Sequence, residues 1–184
     1  QARFRNSRNE TRVAYAWRQT VPTGGVILDK QRIDTLLHAC TRDEILDEDE
    51  FYQRAGWIDF SRPAHWSASA RAAHGTHVMD LAAGYAPEND RNDRPIICVQ
   101  LPAEVTADTA HATHSKYPLD AVQFILNRAD QMARDAGVDY LPVVINFSYG
   151  AIAGPHDGTT LFESQIDALV AMRKARFGPL ALEV

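Results

Sequence analysis

The stretch YLPVVINFSYG, residues 140–150, decides the expected fold because it is apolar at every position from Leu141 to Ile145. A strand with one face in water alternates apolar and polar residues, whereas an unbroken apolar run indicates a strand that is buried on both faces. Such strands are typical of parallel sheets that carry helices on each side. The stretch therefore predicts an inner strand of an α/β sheet.

The segments around this strand extend the pattern. An amphipathic helix that opens at Pro118 and closes near Gly137 precedes it, and a helix and a final strand, TTLFESQIDALVAMRKAR and PLALEV, follow it. Earlier in the chain the sequence predicts strands at 11–17 and 96–101 and helices at 29–40, with Asp29 as N-cap, at 46–56 and at 74–84. Strands that alternate with helices predict a three-layer αβα sandwich with a mainly parallel sheet, whose sites gather at the carboxyl ends of the strands.

Composition narrows the class of protein. The 184 residues suit one domain with an ordinary core, being 45% hydrophobic and 23% charged. A net charge of −5 argues against a nucleic-acid partner, and no apolar run approaches the roughly 20 residues of a membrane span. No signal peptide is visible, which leaves secreted and cytoplasmic locations both open. We expect the N-terminal arginines and the acidic run 43–50 to be solvated surface, and Cys98 to be a packed free thiol.

Two histidines, His74 and His77, stand three positions apart in AAHGTHVMD, residues 72–80. On a helix this spacing places the two rings next to each other, so that they could bind a metal ion together. The segment HATH, residues 111–114, has the same spacing. The metalloprotease motif, however, separates its histidines by four positions with a glutamate between them, and no cysteine cluster lies near either pair. We therefore expect no metal here and interpret His77 as a packed histidine.

His74 is the better candidate for a general base. A histidine at a helix N-terminus lies at the positive end of the helix dipole, which favours the neutral ring that can accept a proton. Gly75 leaves room for a substrate beside the ring, and Thr76 can bond to backbone groups in the first turn.

The segment HGTHV followed by LAAG resembles the histidine motif of the subtilisin-like serine proteases (subtilases). In that family the first histidine of the motif is the catalytic base and the second is structural, which implies these roles for His74 and His77. Gly75 and Thr76 would then be structural neighbours of the site. The sequence departs from the family at Met79-Asp80, where Ala-Gly is usual, and nothing in the sequence explains Asp80.

Three further segments resemble the family in the same order. The family's Gly-x-Ala-Pro turn and inner strand are resembled by GYAPENDRNDRPIICVQL. Its Val-Ile-Asn-x-Ser-x-Gly segment is resembled by VVINFSYG, with Asn146, Ser148 and Gly150 in register. Its helix and strand before the oxyanion asparagine are resembled by GTTLFESQIDALVAMRKARFGPLALEV. The resemblance covers about residues 72–184. It implies that residues 1–184 are the middle portion of a single subtilase catalytic domain, truncated at both ends, and that residues 19–71 are an insertion between its aspartate and histidine regions.

Of the Asp/His/Ser triad the chain contains the histidine alone. No aspartate motif precedes His74, and no serine stands in a Gly-x-Ser-x-Gly elbow. The resemblance therefore implies that the triad aspartate, the nucleophilic serine and the oxyanion asparagine lie outside these 184 residues.

The resemblance implies a serine endopeptidase that hydrolyses peptide bonds through an acyl-enzyme. A polypeptide substrate would bind as an extended strand along Ser148, Tyr149 and Gly150, and Gly154 would line the pocket for the residue before the scissile bond. No cofactor is implied; calcium is compatible with the family, but no site for it can be identified. Two alternatives stay open. One is a degenerate subtilase-like domain that binds peptides without catalysis, and the other is an unrelated parallel α/β domain.

Overall fold

The computed structural model describes residues 2–22, 24–61, 74–86, 94–107, 115–148 and 157–184. The chain divides into two compact units, Gln1–Ala103 and Glu104–Val184. Its architecture is mixed α/β with small sheets. This agrees with the predicted α/β class, while the three-layer sandwich with a mainly parallel sheet stays a prediction.

The first unit is built around the long strand β1. Its described elements are the 3-10 helix Ala2–Phe4, the strands β1 (Val13–Thr20), β2 (Gly24–Asp29), β3 (Thr41–Arg42), β4 (Ile45–Leu46) and β5 (Ile96–Gln100), and the helices α1 (Lys30–Ala39), α2 (Glu48–Arg54) and α3 (His74–Ala83). Strand β1 pairs with β2 in antiparallel and with β5 in parallel orientation. The sequence predicted β1 and β5 but not β2, where Leu28 is the one buried side chain of a short strand.

Local capping explains where α1 and α2 begin. The carboxylate of Asp29 accepts a hydrogen bond from the Arg32 backbone N–H, as predicted, and Asp47 accepts one from Glu50 in the same way. Both bonds satisfy a backbone donor that the first helical turn leaves without a partner. Helix α1 packs on the sheet, and the core between them contains Ala16, Leu28, Ile33, Leu36 and Ala55.

The second unit pairs two long helices with a two-stranded sheet. Its described elements are α5 (Lys116–Asp135), β6 (Val143–Val144), α6 (Leu161–Phe177) and β7 (Leu182–Glu183), and a short helix α4 (Ala103–Ala107) spans the unit boundary. Strands β6 and β7 run parallel, with Val143 opposite Leu182, and the Ile145 N–H extends the ladder to Glu183 O at 2.8 Å. The core of this unit contains Val122, Leu126, Ile145 and Leu182.

Three elements differ from the sequence prediction in the second unit. Strand β6 was expected to be an inner strand buried on both faces, but Val144 is 80% exposed, and among the described residues β6 pairs with β7 alone. Helix α5 begins two residues before Pro118, which a first helical turn tolerates because its backbone nitrogen needs no partner there. Helix α4 was not predicted from the sequence. Among the described helices, none is both long enough and apolar enough to cross a membrane.

Candidate active site

His74 is the first residue of α3 and is exposed. Gly75 and His77 are also exposed, and Thr76 is partly buried. The helix begins where the sequence predicted, so these four residues lie together in its first turn. The sequence led us to expect a packed His77, but its side chain is exposed, and no residue of α3 is buried.

The carboxyl end of α3 is held by two arginines from the start of the chain. Arg3 Nε lies 2.6 Å from Asp80 Oδ1, and Arg3 Nη2 donates to Gly84 O at 3.3 Å. Arg12 Nη1 donates to Ala83 O at 2.8 Å. The last carbonyls of a helix lack partners within the helix and lie at its negative end, so guanidinium groups are suited to this position.

Arg12 joins α3 to the start of β5 as well. Its side chain is buried, with a residue exposure of 5%, and its Nη2 donates to Arg94 O at 3.0 Å. The guanidinium also lies 4.8 Å from the centre of the Tyr85 ring, within reach of a cation–π interaction. A buried guanidinium needs such partners, because an unpaired buried charge is costly.

These contacts account for Asp80, which the sequence left unexplained. They also correct the expectation that all the N-terminal arginines are solvated surface, since Arg12 is buried and Arg3 is paired with Asp80. The signal in the sequence was weak: Arg12 directly precedes a strand, and Asp80 stands where the resemblance leads one to expect a small residue.

The second group of predicted site residues follows β6. From Ile145 to Ser148 burial alternates, with Ile145 buried, Asn146 exposed, Phe147 partly buried and Ser148 exposed. This is the alternation of an extended chain, and it places Asn146 and Ser148 on one side, where Asn146 Nδ2 donates to Ser148 Oγ at 3.0 Å. Phe147 packs into the core, 5.8 Å from the ring centre of Phe162.

Tyr149, Gly150 and Gly154, which were predicted to complete the substrate strand and its pocket, lie outside the described residues. The HATH pair at 111–114 lies outside them as well. The structure thus brings together His74, Gly75, Thr76 and His77 in the first unit, and Asn146 and Ser148 in the second.

Within the described ranges, no group of three or more histidine, cysteine, aspartate or glutamate side chains is arranged to hold a metal ion.

Comparison with known proteins finds a likeness in structure. No protein-family model matches the sequence, and no curated relative matches it. The chain is similar in structure to the Clostridium perfringens CspB protease, with a TM-score of 0.58 and 20% identity over 94% of the chain. It spans 31% of the length of that protease. At this identity the likeness shows the fold alone, so the chain has a partial subtilase-like fold.

Proposed function

We propose that this chain supplies the general base of a serine endopeptidase of the subtilase type. The observation that carries the proposal is the exposed position of His74 at the start of α3, within the sequence HGTH. The likeness in fold to a protease supports the same function.

The chemistry follows from the role of a base in acyl transfer. A serine outside these residues would attack the peptide carbonyl, and His74 would take its proton and return it to the leaving amine. A base acts within about 2.6–3.2 Å of the proton it takes, which requires an accessible ring such as that of His74. An aspartate, also outside these residues, would orient the imidazole.

The substrate would lie along the segment that leaves β6. An extended peptide can add to such a segment through backbone hydrogen bonds, and Ser148 is the described residue from which this pairing would begin. The bond from Asn146 holds the Ser148 side chain on the exposed side of this segment, so the Ser148 hydroxyl is not aimed into the core. Tyr149, Gly150 and Gly154 belong to this proposal by resemblance.

The test uses the full natural protein that contains these residues. A fluorophosphonate, which reacts with activated serines, should label it stoichiometrically, and His74→Ala should lower kcat for a peptide substrate by roughly 10⁴- to 10⁶-fold, as loss of a triad member does in serine proteases. His38→Ala removes another exposed histidine of the same unit and should leave kcat unchanged.

The 184-residue chain by itself should not react with the fluorophosphonate. If it reacts and His74→Ala blocks the reaction, a serine within the chain is the nucleophile and the proposed division of the triad is wrong. If the full protein binds peptides but neither reacts with the probe nor cleaves them, the domain binds peptides without catalysis.

A further inference from the structure

We infer that Arg3, Arg12 and Asp80 are positioning residues for His74, acting through helix α3. The inference rests on the proposed function and names a device within this chain that sets where the base stands. The contacts that carry it are those of Arg3 with Asp80 and Gly84, and those of Arg12 with Ala83 and Arg94.

Helix α3 has no buried residue, and its side-chain hydrogen bonds and ion pair to other described elements lie at its carboxyl end. Leu81, which a typical amphipathic helix would bury, is 76% exposed. Among the described residues, α3 packs against the 3-10 helix Ala2–Phe4, which contains Arg3. The Tyr85 N–H adds a further bond to Arg3 O at 3.2 Å. The described contacts therefore fix the carboxyl end of α3, while His74 stands at the opposite end.

A helix transmits a change of direction from one end to the other. Ten residues span about 15 Å, so a tilt of about 4° at the carboxyl end moves His74 by about 1 Å. A displacement of about 1 Å in a reacting group can lower turnover by as much as roughly 100-fold. Small rearrangements around Asp80 should therefore change the position of the His74 ring and so lower turnover.

The Arg3–Asp80 pair separates positioning from stability. The Arg3 side chain is 47% exposed and that of Asp80 is 28% exposed, and ion pairs of this kind contribute little to the free energy of folding. Loss of the pair should therefore lower kcat clearly while it changes the melting temperature only slightly. A residue with a merely structural role would change both together.

The experiment is a charge exchange in the full natural protein, with kcat expressed per fluorophosphonate-labelled site. Arg3→Asp and Asp80→Arg should each lower kcat about tenfold with KM unchanged within about twofold. The double variant, which restores an ion pair in reversed order, should recover kcat to within about threefold of the wild type. Arg8→Asp is the matched control, because Arg8 is an exposed arginine whose ionic partner is Glu10; its kcat should not change.

A second variant tests the buried arginine. Arg12→Lys keeps the charge but cannot make the separate Nη1 and Nη2 bonds to Ala83 and Arg94. It should also lower kcat, and in the 184-residue chain it should speed hydrogen exchange at the amides of His74–Ala83. Unchanged exchange there would contradict the anchoring role of Arg12.

Each outcome of the charge exchange decides the inference. If the wild type is active and the single variants keep their kcat, or if the double variant does not recover, the positioning role is wrong while the proposed function stands. If the losses only follow the fraction of folded protein, the contacts are structural and the inference is overturned. If the wild type neither reacts with the probe nor cleaves peptides, both proposals fail.

Discussion

Arg173 Nη1 lies 2.6 Å from Asp130 Oδ1, although the arginine side chain is only 5% exposed. The same guanidinium donates from Nε to Ala181 O at 3.2 Å and from Nη2 to Leu141 O at 3.3 Å. One buried cation thus joins α5 and α6 to the segments that lead into β6 and β7. It fixes the start of the strand from which Asn146 and Ser148 follow.

Removing the carboxylate of this pair should destabilise the second unit. Asp130→Asn leaves the Arg173 charge buried with weaker compensation, and we expect a loss of roughly 2–4 kcal/mol in the free energy of unfolding. The loss can be measured in the 184-residue chain by hydrogen exchange of the α5 amides. Asp120→Asn, on the same helix but in an exposed pair with Lys116, should cost less than about 1 kcal/mol. Equal losses in the two variants would show that the burial of Arg173 does not increase the contribution of its ion pair to the free energy of unfolding.

The start of α6 should respond to pH. Glu163 accepts hydrogen bonds from the Thr160 hydroxyl and backbone N–H, and these bonds lower the pKa of its carboxyl below the usual 4.5. A lowered pKa means that the stabilisation is fully present above pH 4.5 and is lost as the pH falls through the folded value. Hydrogen exchange in the first turn of α6 should therefore quicken in acid beyond its intrinsic pH dependence. Glu163→Gln should remove this response, whereas Asp167→Asn, at another position of α6, should retain it.

Two glycines at opposite ends of α3 should behave in opposite ways. A Cβ at Gly84 would lie 2.2 Å from Asp80 Oδ1 and 2.5 Å from Asp80 O, so Gly84→Ala should cost about 1–3 kcal/mol. A Cβ at Gly75 would meet nothing within 4 Å, so Gly75→Ala should add about 0.5–1 kcal/mol by favouring the helix. Urea unfolding followed by tryptophan fluorescence measures both changes. In the active full protein, Gly75→Ala should nevertheless lower kcat/KM, since the methyl group takes space beside His74; full activity would show that no substrate approaches there.

Cys98 should be slow to react with alkylating reagents. Burial raises the pKa of its thiol to about 11, and its Sγ lies 3.8 Å from Tyr15 O. Since the thiolate is the reactive form, iodoacetamide at pH 8 should label Cys98 far more slowly in the native chain than in urea. Mass spectrometry of Cys40→Ser, which leaves Cys98 alone, provides the measurement. Rapid native labelling would mean that the strand opens easily.

The sequence predicted those elements whose cause is local. The caps at Asp29 and Asp47 act on a backbone N–H three residues away, so the pattern of residues suffices to place α1 and α2. Strand β5 was visible as an apolar run, and β1 as a run of β-branched, aromatic and small residues. Strand β2 was missed because its pairing with β1, rather than its own short apolar run, makes it a strand.

The candidate site divides in the same way. His74 was found because its motif is contiguous and its position at the start of a helix is local. The roles of Arg3, Arg12 and Asp80 were not found, because their partners lie 71 to 82 residues away and include backbone carbonyls, which carry no side-chain signature. The burial of Arg173 was not predicted for the same reason, since two of its hydrogen-bond partners are backbone carbonyl oxygens.

The contact between Arg3 and Asp80 spans 77 positions in sequence and has a consequence for the order of folding. The β1–β2 hairpin closes a loop of a few residues, whereas docking α3 closes most of the first unit and costs more chain entropy. Contacts of such long range form late, after local ones. Pulse-labelled hydrogen exchange during refolding should accordingly protect the β1 and β2 amides before those of His74–Ala83. Protection of α3 first, or in the same step, would contradict this order. The helix that carries His74 is then among the last parts of its unit to form and, on unfolding, among the first to be lost.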